Sequence, residues 1–340
     1  MWEALLVNPL ATLYHEELFL IQWVQNFFAP VAPLLQLLSE HLTPAKLLDI
    51  YIPVIGVFNQ QLMVLLVGAL GVMNVLSSLI KWSAPANRPY WWIREYNDTT
   101  AVQQYHGTCQ TTAAFPSSHL VSFSTTLYLI ALVFLRACWQ RLKLPNRYLN
   151  AFCVQTVILG GTAMSISRIF LAAQFPHQCL LSCFFTIFTL HTLRKYSKSL
   201  YNLRRFKAIL ILGCLSISPV LIYFGMLRID MDPHWSVRMA FKWCMEPTQM
   251  RHEDSSIFVL ARDFGYLTGV VLSLPIYESL ANKTVITKRL PLLLVLEMLN
   301  YYARLETPKT YGRVAFVAYE FARNAMHSFT LLKIVPKLTT

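Results

Sequence analysis

Lys81 is followed, after six residues, by Arg88-Pro89. Further along stand Pro116-Ser117-Ser118-His119, then Ser167-Arg168, then Pro176-His177. Each group alone has an ordinary reading. A Lys or Arg beside an apolar run anchors a helix at an interface, and Pro with Ser starts a helix. Together they supply three cations, a Ser-rich helix start and two histidines, which is what binding and cleaving a phosphate ester requires. Cationic side chains and the backbone N–H groups of a helix N-terminus neutralise a phosphate dianion. One histidine can attack phosphorus while another protonates the departing oxygen.

Such groups need a frame, and long apolar runs provide it. Of the 340 residues 55% are hydrophobic and only 14% charged, against about a quarter charged in a soluble domain. A membrane span needs roughly 20 mostly apolar residues. Residues 62–80, 206–227 and 257–276 meet that length, the apolar run 121–135 is shorter, and two further helices are read at 150–165 and 176–193. Fainter spans lie at 34–56 and 313–335. The expected fold is all-α, a polytopic membrane bundle of about nine helices forming a single domain over residues 1–340. Within the faint spans, Lys46 with Asp49 and Glu320 with Arg323 stand at helical pairing distance.

Loop charge gives the sidedness. The loop with Arg136, Arg141, Lys143 and Arg147 has no acid, nor has the loop with Arg194, Lys195, Lys198, Arg204, Arg205 and Lys207. Both read as cytosolic by the positive-inside rule. Two helices separate them, so the link between those helices faces the other side. The loops 82–116 and 228–256 then fall on the non-cytosolic face, with the N-terminus there and the C-terminus in the cytosol. All four polar groups lie on that same non-cytosolic side. Asn97-Asp98-Thr99 is an N-glycosylation acceptor there, whereas Asn282-Lys283-Thr284 falls in a cytosolic loop.

Other classes fit poorly. The net charge of +12 sits in short loops between apolar runs, which argues against a nucleic-acid partner. No basic n-region of a signal peptide opens the chain, whose first Lys or Arg is Lys46. The seven cysteines form no CxxC pair, and no metal site is read from them. Cys109 and Cys244 both fall in non-cytosolic loops, as a disulfide or as free thiols. A transporter would show broken helices and an internal repeat, and neither is evident.

At these residues the chain resembles the glucose-6-phosphatase family, within the group of membrane phosphatases that includes the lipid phosphate phosphatases. The group's pattern is Lys-x6-Arg-Pro, then Pro-Ser-Gly-His, then Ser-Arg-x5-His. Lys81 with Arg88-Pro89 matches the first element. Pro116-Ser117-Ser118-His119 matches the second with Ser for Gly, and Ser167-Arg168 begins the third. Strings closer to the glucose-6-phosphatase branch are Arg88-Pro89-Tyr90-Trp91-Trp92, Ser167 to Ala173, Phe175-Pro176-His177-Gln178, and Lys242-Trp243-Cys244 with Glu246-Pro247.

The resemblance implies a phosphoric monoester hydrolase of the endoplasmic-reticulum membrane, acting on a hexose phosphate at a lumenal site, with no cofactor. A glucose-6-phosphate transporter is implied as a partner, besides the sugar phosphate and membrane lipid. Lys81, Arg88 and Arg168 would hold the phosphate, Ser117 and Ser118 would add hydrogen bonds, and His119 would protonate the leaving sugar oxygen. The position of the attacking histidine holds Gln174. A carboxamide cannot form a phosphohistidine equivalent, because its nitrogen lone pair is delocalised. His177, three residues on, is a substitute nucleophile or a structural histidine; a turn's shift of roughly 5 Å favours the latter. The rival reading is a catalytically silent relative that binds phosphate compounds or partner proteins. Tyr90, Trp91 and Trp92 could stack on a sugar or anchor at the interface.

Overall fold

The structure, a computed structural model, describes residues 9–105, 108–141, 143, 146–244, 255–276, 286–308 and 312–339. Among the described residues it is helical, without a strand. The central helix is α5 (Gln60–Ser83), which starts where Asn59 Oδ1 accepts the Leu62 N–H (3.0 Å), an N-cap that satisfies one orphan donor of the first turn. Before it come α1 (Pro9–Phe28), α2 (Ala32–His41), α3 (Pro44–Lys46) and α4 (Ile52–Phe58). After it come α6 (Pro89–Glu95), α7 (Ser118–Arg141), α8 (Asn146–Phe170) and α9 (Pro176–Tyr201). The C-terminal half consists of α10 (Arg205–Ser216), α11 (Ser218–Arg228), α12 (Trp235–Trp243), α13 (Ser256–Ser273), α14 (Ile286–Leu305), α15 (Arg313–Phe329) and α16 (Val335–Thr339).

One large apolar core joins Met63, Leu66, Val67 and Leu70 of α5 to Leu260, Leu267 and Val270 of α13 and to Leu331 and Leu332. α13 packs closely along α15. Gly265 and Gly269, four apart on α13, permit it. A Cβ on Gly265 would fall onto the Phe321 carbonyl, and one on Gly269 onto Ser328 Oγ and the Ala325 carbonyl. This is the small-residue spacing by which helices in lipid approach closely.

Several charged side chains inside this half are paired, as burial away from water favours. Glu320 meets Arg323 at 2.8 Å, and Arg323 Nη1 donates to Asn300 Oδ1 at 2.7 Å. His327 Nε2 meets Glu297 at 2.8 Å, and Asp263 accepts from Ser78 and Arg262.

Six helical stretches are long and apolar enough to cross a membrane: Ala11–His41, Gln60–Ser83, Ser118–Arg141, Ala151–Phe170, Arg205–Arg228 and Ser256–Ser273. The chain is thus a multi-pass helical membrane protein, with six such stretches among the described residues. The span expected at 34–56 is not one helix. The chain breaks after His41, Thr43 caps a new start at Pro44 (Oγ1 to Lys46 N–H, 3.2 Å), and a π turn follows at Leu47–Tyr51. Asp49 accordingly reaches Arg304 (3.4 Å) rather than Lys46.

The apolar Ala11–His41 stretch packs across one end of the bundle. Tyr14, Leu18 and Ile21 contact Trp92, Ala172 and Phe175, and Val24 and Leu35 contact Phe170, Leu171 and Ala173. Its polar contacts fall at the same end, His15 on Asp98 (2.7 Å) and Gln25 on the Phe170 carbonyl (2.7 Å). It therefore roofs the end where α5 and α8 finish and α7 and α9 begin.

Candidate active site

Local chain chemistry brings each polar group to that roofed end. Lys81 lies in the last turn of α5. Arg88 is extended, as a residue before proline prefers, and Pro89 opens α6. Ser117 precedes α7, and its Oγ accepts the Leu120 N–H (3.4 Å). Arg168 stands in the last turn of α8, which ends in paired bonds from Ala173 N–H to the Arg168 carbonyl and Ala172 N–H to the Ile169 carbonyl. That is a Schellman end, and it places Ala172 in the left-handed region (φ 51°) where glycine is usual. The tight reversal delivers Ala173 and Gln174 to the site.

The segment 112–114 is the common target. Lys81 Nζ donates to the Ala113 carbonyl at 2.9 Å. Arg88 donates from Nε and Nη2 to the Thr112 carbonyl (3.0 and 2.8 Å) and from Nη1 to the Ala173 carbonyl (2.9 Å). Gln174 Nε2 donates to the Ala114 carbonyl at 2.6 Å. Arg168 Nη1 donates to Ser39 Oγ (2.7 Å) and Nη2 to Gln110 Oε1 (3.3 Å), while its buried Nε has no hydrogen-bond partner.

Lys81, Arg88, Ser117, His119, Arg168 and Gln174 are all buried, and Ser118 is half-buried. Among the described residues, neither Lys81 nor Arg168 is paired with a carboxylate, and the His119 ring makes no hydrogen bond. Cations bound to neutral oxygens, with a donor left over, form a site that an anion would complete.

Gln174 stands where the pattern puts the nucleophile, its Oε1 facing the Cys179 thiol (3.9 Å). His177 is turned to α1: Glu17 accepts from its backbone N–H (2.9 Å) and meets its Nδ1 at 2.5 Å. The His177 ring also lies against Tyr14 and Phe175. The three aromatic residues after Pro89 are buried in the core. Tyr90 OH donates to the Thr108 carbonyl (3.1 Å), Trp91 packs on Trp235, and Trp92 stacks on Tyr96. Burial pushes the Tyr90 phenol above its ordinary pKa. A disulfide joins Cys109 to Cys244. Beside it, hydrogen bonds from Lys242 and Trp243 hold the Glu95 carboxyl below its usual range. Asn97 is exposed in a turn at the same end (φ 50°). Asn282, Glu246 and Pro247 lie outside the described residues.

Sequence reasoning missed Ser39, Gln110, Ser182 and the carbonyls of 112–114. Ser182 Oγ accepts the Ser117 N–H at 2.8 Å. These partners are remote in sequence and of ordinary type, so no local spacing marks them.

Residues 62–201 match the PAP2 superfamily, a stretch that contains Lys81, Arg88, Ser117, Ser118, His119, Arg168, Gln174 and His177. The chain is 24% identical over 344 residues to human glucose-6-phosphatase 2, covering 95% of each. It is 26% identical to mouse glucose-6-phosphatase 2, over 76% of this chain and 75% of the relative. With human glucose-6-phosphatase 3 it shares 29% identity over 58% of each. No solved structure matches the chain. The superfamily match frames the phosphate-type motifs: residues 62–201 form a PAP2 superfamily domain, and the likeness to proteins named glucose-6-phosphatase extends over most of the chain.

Proposed function

We propose that the chain is a phosphatase of the endoplasmic-reticulum membrane that hydrolyses a hexose phosphate, glucose 6-phosphate in the first instance, at a lumenal site. The observation that carries this reading is the gathering of Lys81, Arg88 and Arg168, buried and bonded to neutral oxygens, around His119 and the 112–114 segment. A phosphate dianion entering there exchanges those neutral oxygens for charged ones. Ser117 and Ser118 add donors at the start of α7.

With Gln174 at the nucleophile position, the attacking oxygen comes from water. An O–P bond forms from that water, and the bond from phosphorus to the sugar oxygen breaks. Protonated His119 gives its proton to the sugar oxygen, and a proton of the attacking water restores it. The products are sugar and phosphate. The Gln174 carboxamide holds the water through Oε1, much as a glutamine orients water in phosphoryl transfer. A transporter that delivers the sugar phosphate to the lumenal side fits this reading as a partner.

Gln174 also favours a second reading, a silent relative that binds phosphate compounds without turnover. Purified protein in detergent, assayed with glucose 6-phosphate and other phosphate esters beside a His119→Ala control, tests both. Release of phosphate that His119→Ala removes supports the enzyme. Vanadate binding without any release supports the silent binder, and neither release nor binding overturns both.

A further inference from the structure

The turn between α9 and α10 lies at the opposite end of the bundle from the candidate active site. α9 begins beside Gln174 and runs 26 residues, about 39 Å at 1.5 Å per residue. α7 starts in the site as well and packs along α9, where Arg194 Nη1 donates to Tyr128 OH at 2.9 Å. At the far end Ser199, Asn202, Leu203, Arg204 and Lys207 line an open cavity of about 370 Å³.

Backbone and side-chain bonds hold this turn. The Ile276 N–H donates to the Tyr201 carbonyl (3.3 Å), Arg205 Nε to the Leu274 carbonyl (3.1 Å), and Tyr201 OH to the Leu65 carbonyl (3.3 Å). The stretch 194–207 carries six cations and no acid. Neither Arg204 nor Lys207 meets an acidic group among the described residues. Loop charge alone requires no ligand. The open depression between these residues, with two cations on its wall that meet no acid, is a separate observation, and it suits a phosphate group.

What lies above the cavity identifies the source of that phosphate. Little of the apolar stretch in Arg205–Arg228 is fully buried: Leu212, Leu215, Ile222 and Tyr223 pack one face on the core, and the other faces are open to lipid. Phe206, Ile209 and Leu210, just past the cavity, are exposed. A molecule seated among Ser199, Asn202, Arg204 and Lys207 therefore continues into the acyl-chain zone along an open helix. We infer that the cavity holds the phosphorylated headgroup of a lipid in the leaflet remote from the active site. Arg204 and Lys207 meet the phosphate, and Ser199 and Asn202 meet hydroxyls of the headgroup.

The test uses the full chain in detergent and a fluorescent short-chain phosphatidylinositol phosphate, with short-chain phosphatidylcholine and inorganic phosphate as competitors. The phosphoinositide binds at least tenfold more tightly than phosphatidylcholine. Arg204→Ala with Lys207→Ala weakens it on the order of ten- to thirtyfold, with the melting temperature unchanged because both side chains are exposed. Arg136→Ala with Arg141→Ala, on the same face outside the cavity, changes it less than twofold. Equal loss in the two double variants, or equal binding of phosphatidylcholine, overturns the site. Displacement of the probe by inorganic phosphate as readily as by unlabelled lipid keeps the phosphate chemistry and overturns the lipid as its source.

Discussion

Arg88 makes the most demanding contacts in the candidate site, reaching Thr112 and Ala173 through Nε, Nη1 and Nη2. An ammonium cannot span both carbonyls, so Arg88→Lys loses the frame as well as the planar fork. Arg168→Lys loses the fork while sparing the loop. Each guanidinium contact to a bound phosphate contributes about 1.5–3 kcal/mol. Both variants should therefore weaken vanadate binding at least tenfold in thermal-shift titration, with a lowered melting temperature only for Arg88→Lys. Parent-like binding by both would remove the phosphate site from these residues. Gln174 separates enzyme from silent binder. Gln174→His should raise hexose-phosphate hydrolysis well above the parent and leave an acid-labile phosphohistidine at 174, and His119→Ala added to it should abolish the gain. The rival nucleophile, His177, faces Glu17 and α1. Rapid turnover by the parent that His177→Ala destroys would move the attack there and sink the assignment of 174.

At the scale of elements, the roof formed by α1 and α2 shows how far local spacing could carry the reading. Lys81, Arg88, Ser117, His119 and Arg168 stand in short motifs at or between neighbouring helix ends, where type and spacing are local and so legible. The roof was not legible in this way. Its contacts are remote in sequence: Glu17 caps α9 160 residues away, and Ser39 serves Arg168 across 129. Ala172 likewise hid the Schellman turn, since no glycine announces it. Glu17→Gln should keep the cap but weaken the bond to the His177 ring, and Glu17→Ala should lose both. The expected cost of Glu17→Ala is about 0.5–2 kcal/mol, the range for a lost helix cap, read as a lower melting temperature in detergent. An unchanged melt would mean that the roof does not brace α9. The α13–α15 crossing was legible in principle from Gly265-x3-Gly269, a spacing the charge-based reading passed over. Gly269→Val must push a branched side chain into Ser328 and Ala325. It should cost more than the ~1–3 kcal/mol of ordinary overpacking, seen as loss of the monodisperse folded protein on size exclusion. A folded, normally melting Gly269→Val would refute the close crossing.

For the molecule as a whole, two kinds of chemistry segregate to opposite ends. The site end holds the buried cations, the roof, the Cys109–Cys244 disulfide and the exposed Asn97. The other end holds the acid-free basic turn around Arg204. Disulfides persist in oxidising compartments such as the lumen of the endoplasmic reticulum, while basic loops favour the cytosol. The two rules are independent, and both accord with the proposal that the site end faces away from the cytosol. Free cysteines agree with neither side in particular: Cys138, Cys153, Cys179, Cys183 and Cys214 stand within helices. Asn97 offers the decisive test, because glycosylation occurs only on the lumenal side and this asparagine lies exposed with Thr99 exposed beside it. Expressed in microsomes, the parent should shift in mass on glycosidase treatment, Asn97→Gln should abolish the shift, and Asn282→Gln should leave it intact. A thiol reagent that cannot cross the membrane should meanwhile find Cys109 and Cys244 only after reduction of opened microsomes. If the shift depended instead on Asn282, or if Cys109 reacted from the cytosolic side of sealed microsomes, the whole bundle would be inverted. The candidate active site would then face the cytosol, and delivery of its substrate would need no transporter.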